Sequence, residues 1–167
     1  YKEEREELTQ MWKRLSEQIA LHDRTCKEMV VRSQTAGLLS SIPGIGVITS
    51  LTILAEVGDF SRFKSPDKLA CYAGLVSSSY SSGENTRFSH ITHRGSVWLR
   101  TALVEATATV NPKWGALYDF YSRISEKKGN KVARVALARK ILTLCWHLVS
   151  KDQFYKVSVS LSDSVKL

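Results

Sequence analysis
The chain is 167 residues long, 43% hydrophobic and 24% charged, with a formal net charge of +8. This length and apolar content suit one packed domain with an extended element and exclude a disordered polypeptide. No apolar run approaches the roughly 18 residues that a membrane-spanning helix requires, so a soluble protein with no membrane partner is expected.

In chain order, residues 1–30 come first. Leu8, Trp12, Leu15, Ile19, His22, Cys26 and Met29 recur at alternating spacings of four and three. That is the a/d seam of a coiled coil, carried on one long helix. Glu3, Glu4, Glu6 and Glu7 crowd its start, where negative charge suits the helix dipole. The seam fits either a helix packed on its own domain or a homo-oligomer contact.

Residues 38–58 read LLSSIPGIGVITSLTILAEVG. They predict a helix ending near Ser40, a turn through Pro43-Gly44-Ile45-Gly46, and a helix restarting near Val47. Ser65 can cap a further helix with Pro66 at its first position, stopping at Gly74. The Ser-, Gly- and Asn-rich segment 76–90, VSSSYSSGENTRFSH, is a loop or hairpin. Helical periodicity resumes at Ser96 with Val97, Leu99, Leu103, Val104 and Ala106, and Asn111-Pro112 breaks it. A further helix is expected over about 113–125, and a last one over about 131–150 burying Val132, Val135, Leu142, Cys145 and Val149. The tail 157–161, VSVSL, is either a short strand or frayed. The expected fold class is mainly α. Residues 1–36 form a coiled-coil or oligomerisation helix, 37–156 a compact helical domain with a helix-hairpin-helix-like turn, and 157–167 a tail.

Three constellations bear on chemistry. Gly44 and Gly46 punctuate a helix–turn–helix whose amides can hold a DNA phosphate without reading bases, although a tight turn with no ligand has the same composition. In the second, Ser77–Ser79, Ser81 and Ser82 lie beside Gly83. A hydroxyl there can approach a phosphate, but it needs a base or a metal to become a nucleophile, and composition alone favours a solvated loop. The third is the basic stretch. Residues 87–140 hold 11 basic and 3 acidic groups while the rest of the chain is close to balanced, which favours a nucleic-acid partner. Arg87, Arg94 and Arg100 flank the serine run; Lys127, Lys128, Lys131 and Arg134 surround Gly129, the last two sharing a helix face. Trp98, Trp114, Tyr118 and Tyr121 are interleaved at helical spacing and are assigned to the core. Glu56 and Asp59, three apart at a helix end, read as cap or salt-bridge partners rather than a two-metal site. The scattered histidines and the widely spaced Cys26, Cys71 and Cys145 give no metal site and point to a reducing compartment. Tyr1 stands where an initiator Met is expected, so the sequence reads as a piece of something longer.

Taken in order, IPGIGVITSLTILAEVGDFSRFKSPDKLACYAGL, SSG, ITHRG and WLR resemble the C-terminal domain of insertion sequence 110 type transposases. That group includes bridge-RNA-guided recombinases and Piv-like DNA invertases. The likeness covers residues 42–109 and extends more loosely through NPKWGALYDFY and KVARVALARKIL to about 150. It implies a DNA transposase or recombinase of the prokaryotic cytoplasm, in which a serine becomes joined to a DNA 5′ phosphate. It further implies that the serine acts with an N-terminal RuvC-like domain that binds divalent metal such as Mg, in an oligomer that in some members uses a guide RNA. The Ser-Gly motif falls on Ser82-Gly83, making Ser82 the expected nucleophile and Ser81 the alternative. Arg100 falls on the Leu-Arg pair and Gly95 on the glycine of a Lys-x-Gly segment. His93 stands where that segment usually has lysine, and Ser96 where asparagine often follows the glycine. Without a RuvC-like domain the chain is expected to be inactive and to hold no cofactor. Two other readings remain: a non-catalytic helix-hairpin-helix DNA-binding module, and an oligomerisation adaptor built on residues 1–30.

Overall fold
The computed structural model describes residues 1–82, 85–91 and 95–156, with the side chains of those outside 77–94. Helix α1 (Lys2–Arg32) buries no residue. At about 1.5 Å per residue it runs roughly 46 Å. Leu8, Trp12, Leu15, Ile19 and Met29 are each more than half exposed, so most of the seam is uncovered, while Cys26 is half-buried and the helix touches the helices that follow it. Ser33 takes an extended conformation that ends α1, and its hydroxyl accepts from the Ala36 amide at 3.2 Å to cap α2 (Gln34–Ser40). Helix α3 (Val47–Val57) follows the glycine turn, and α4 (Pro66–Tyr72) starts at the expected Ser65 cap.

Residues 76–90 resolve the loop-or-hairpin alternative as a hairpin, β1 (Ser77–Ser82) with β2 (Asn85–Ile91). Helix α5 (Val97–Ala106) is capped by Ser96, whose hydroxyl accepts from the Leu99 amide at 3.0 Å. Asn111 caps a 3₁₀ turn at Pro112–Trp114, so α6 (Ala116–Lys128) starts later than about 113. Helix α7 (Asn130–Lys151) is the central element and packs on α2, α4, α5 and α6. The mainly α class holds, with one hairpin among the described residues.

The core gathers Leu39, Ile42, Ile53, Leu69, Leu99 and Leu103 around the Leu137, Ile141, Leu142 and Cys145 face of α7. Each such aliphatic side chain stabilises the fold by about 1.5–3 kcal/mol. Ala133 and Ala138 on the same helix are fully buried, and their small size lets neighbouring helices approach. Two core assignments need correction. Trp98 is 73% exposed, because Leu99, Leu103 and Ala106 form the inward face of α5 and Trp98 lies about 100° round the helix from Leu99. Val132 is 48% exposed at the open start of α7, and Val135 and Val149 are half-buried at the core margin. Trp114 is buried as expected, and Tyr118 and Tyr121 pack against the core from its edge. The tail expectation at 157–161 lies outside the described residues. No helix among the described residues is long and apolar enough to cross a membrane.

Polar ties hold the periphery. The Trp146 indole donates to the Phe63 carbonyl at 3.1 Å, Arg139 pairs with Asp67 at 3.0 Å, and Gln34 donates to the Asp152 carboxylate at 2.7 and 2.9 Å. Cys145 is wholly buried, and burial pushes its thiol up to about 12, whereas Cys71 is exposed. Iodoacetamide should therefore alkylate Cys71 in the native protein and spare Cys145 until denaturant is added, as peptide mass spectrometry will show. The folded state also keeps a proton that an unfolded thiol releases near 9.0, so Cys145 lowers stability as pH rises from there toward 12.

Candidate nucleic-acid interface and serine hairpin
The hairpin is antiparallel, with Ser82 opposite Asn85, Ser81 opposite Thr86 and Tyr80 opposite Arg87. Only Gly83 and Glu84 connect the strands, and glycine at the first position of such a connection is the composition short hairpins favour. Ser81 and Ser82 are thus the last two positions of β1, and Arg87 is in β2. Their side chains, and the whole of His93 and Arg94, lie outside the described residues.

The two roots of the hairpin are tied to each other and to α3. The Ser96 amide donates to the Tyr72 carbonyl at 3.0 Å, and the Ser96 hydroxyl donates to Glu56 Oε2 at 2.6 Å. The Tyr72 hydroxyl donates to the Glu56 carbonyl at 3.1 Å, closing a triangle between α3, α4 and α5. Arg100 donates through Nη1 to the Ala73 carbonyl at 3.2 Å, just before β1. Gly95 has φ +111°, and a Cβ there would overlap the Tyr72 carbonyl. Glycine alone allows this approach of the outgoing strand to the end of α4.

At the glycine turn, the Ile45 amide donates to the Ile42 carbonyl at 3.0 Å. Gly44 has φ +86°, and a Cβ would overlap the Trp114 ring and lie 2.7 Å from the Ala106 carbonyl. Gly46 differs: its φ is −88°, it is exposed, and nothing lies within 4 Å of where its Cβ would be. It begins α3 without a side-chain cap on the first amides, and such amides can receive an anion.

Lys127, Lys128 and Lys131 are exposed around the α6–α7 turn. Arg123, Lys127 and Lys128 rim a groove of about 330 Å³ floored by Ile124, Val132 and Ala136. Arg134, although three residues from Lys131, turns inward. Its Nε donates to Thr107 Oγ1 at 3.2 Å and its Nη2 to the Val104 carbonyl at 3.3 Å, joining the Thr107 hydroxyl on the same carbonyl at the end of α5. Arg100, Gly44 and Arg134 are thus anchored at two ends of α5, which is about 15 Å long. The serine hairpin and Arg100 root at its N-terminal end. The Gly44 turn meets Ala106 and Arg134 meets Thr107 at the other.

Sequence reasoning missed the Glu56–Ser96 link. Ser96 is legible as a cap from its place before an apolar period, but a partner 40 residues away leaves no local signal. Asp59 takes the capping role expected of it: the Ser61 hydroxyl, at 2.6 Å, and the Ser61 amide, at 2.8 Å, hold its carboxyl below the usual range. Among the described residues no three His, Cys, Asp or Glu side chains converge as a metal site.

Comparison with known proteins gives a consistent likeness. The family described as Transposase IS116/IS110/IS902 matches residues 36–122. The chain is 30% identical over 144 residues to the transposase for insertion sequence element IS1111A of Coxiella burnetii, covering 84% of this chain and 40% of that protein. It is 35% identical over 121 residues to the pilin gene-inverting protein of Moraxella bovis, covering 71% and 38%. It is 28% identical over 145 residues to the insertion element IS116 uncharacterized 44.8 kDa protein of Streptomyces clavuligerus, covering 84% and 36%. The chain thus spans about two fifths of the length of these relatives.

Proposed function
The chain belongs to the IS116/IS110/IS902 transposase family, and from that membership we propose that it is the DNA-holding and strand-transfer part of a transposase or recombinase, with Ser82 as nucleophile. The observation that carries the proposal is Ser81 and Ser82 ending β1, on a hairpin rooted beside Arg100. Relatives named as transposases and as a gene-inverting protein support DNA as the partner.

In the proposed step, Ser82 Oγ attacks a backbone phosphorus in line. The Oγ–P bond forms as the bond from phosphorus to the 3′ oxygen breaks. The DNA 5′ end is left on serine, and the 3′ oxygen gains the proton that the serine hydroxyl loses. Arg87, Arg94 and Arg100 lower the cost of charge on the phosphate oxygens. A divalent cation would be held by a RuvC-like domain of the same or another protomer, since no donor set for one occurs among the described residues here. The Gly44–Gly46 turn and the Lys127, Lys128 and Lys131 cluster hold the flanking DNA. Guide RNA, where the protein uses one, presents the same phosphates to these cations. The exposed seam of α1 serves self-association: its apolar residues are uncovered along most of a roughly 46 Å helix and repeat at coiled-coil spacing.

Titrating duplex DNA against salt tests the binding half of this reading. With three to four phosphates neutralised, log K should fall with log salt at a slope of about −3. Removing the charge of Lys127, Lys128 and Lys131 together should flatten most of that slope, each lysine accounting for about one unit. A flat plot for the unaltered protein overturns the nucleic-acid assignment.

A further inference from the structure
We infer that Glu56 and Ser96 form a clamp that aims the serine hairpin, making Glu56 a positioning residue for strand transfer. The inference rests on Ser82 being the nucleophile. Residues 75–76 lead into β1 and residues 92–95 lead out of β2. The chain that follows β2 is fixed at Ser96 through both its amide, on Tyr72, and its hydroxyl, on Glu56. The incoming end is held by the Arg100 guanidinium on the Ala73 carbonyl, and the Tyr72 hydroxyl returns to Glu56 through that residue's own carbonyl. Glu56, half-buried on α3, is the one residue of this ring that belongs to neither hairpin root. Its carboxylate therefore references the hairpin to the helical body.

The lever is long. Ser77 to Ser82 spans roughly 17 Å at strand rise, so a tilt of about 4° at the root carries the tip about 1 Å. A misplacement of that size can cost a reaction about 10²-fold. The Ser96 hydroxyl does two jobs, accepting from the Leu99 amide as cap of α5 and donating to Glu56 as clamp. Side-chain chemistry separates the two. Asparagine can accept and donate, so Ser96→Asn keeps both. Aspartate accepts but cannot donate while ionised, so Ser96→Asp keeps the cap and sets like charge against Glu56. In Glu56→Gln an amide oxygen still accepts from Ser96, whereas in Glu56→Ala nothing does.

Two readouts test the clamp. In the full-length protein, Glu56→Ala and Ser96→Asp should slow covalent adduct formation about 10²-fold with DNA affinity unchanged, while Glu56→Gln and Ser96→Asn stay within a few-fold of the unaltered protein. In the 167-residue chain, hydrogen exchange of the 77–82 and 85–91 amides should quicken about tenfold in the first pair and not the second, with the α7 amides unchanged in all four. Unchanged hairpin exchange in Glu56→Ala, or equal defects in Glu56→Gln and Glu56→Ala, overturns the clamp. If instead Ser82→Ala still forms the adduct, the catalytic assignment fails, and the exchange measurement still decides the clamp by itself.

Discussion
Replacing Ser82 with alanine in the full-length protein should abolish the covalent protein–DNA adduct and reduce strand exchange by on the order of 10³-fold or more, with duplex affinity unchanged. An effect of that size is expected when the attacking atom itself is removed, because positioning and charge stabilisation then act on no nucleophile. The adduct is read directly, as labelled DNA that stays with the protein in denaturing gels. Ser81→Ala is the control. Ser81 pairs with Thr86 and Ser82 with Asn85 in the strand register, so the two serines hold distinct positions on the hairpin. An adduct retained in Ser82→Ala and lost in Ser81→Ala moves the nucleophile by one position. Retention in both variants leaves a DNA-binding module without this chemistry.

The second large effect is on stability. Gly44→Ala should destabilise the fold by about 3 kcal/mol or more, measured as a shift in urea or thermal midpoint. Two costs combine. A non-glycine residue at φ +86° is strained by about 1 kcal/mol or more, and the new methyl group overlaps the Trp114 ring while approaching the Ala106 carbonyl, a backbone atom that cannot swing aside. Trp114 is itself packed in the core, so its displacement spreads the damage. Gly46→Ala isolates the other role of the turn. Its backbone is ordinary and its Cβ meets only open space, so stability should fall by no more than about 1 kcal/mol, which is what alanine costs at a helix N-cap. If the turn amides hold a DNA phosphate, the methyl obstructs the close approach and duplex affinity falls in Gly46→Ala without loss of fold. Unaltered affinity there leaves the turn a structural joint between α2 and α3.

Much of this organisation was legible in the amino-acid order, and for local reasons. Apolar residues three and four apart marked α1, α5 and α7. Ser65-Pro66 and Ser96 announced helix starts that the structure places where capping chemistry requires. Gly44 stood out because a turn between two apolar helices needs positive φ, and the Ser-Gly run with its neighbouring motifs pointed to the family. All of these signals lie within a few residues of the feature they mark. The tertiary structure decided what depends on residues distant in sequence. It placed Trp98 outside and Trp114 inside, although both sit in helical contexts, because exposure follows from which face of an element meets its neighbours. It turned Arg134 away from the surface that Lys131 occupies and onto the end of α5. It joined Glu56 to Ser96 across 40 residues of chain. The charge excess shows the same division: its sign and its concentration in residues 87–140 are properties of the chain, whereas packing decides that Arg134 is spent on the end of α5 and Arg139 on Asp67 while Lys127, Lys128 and Lys131 stay exposed.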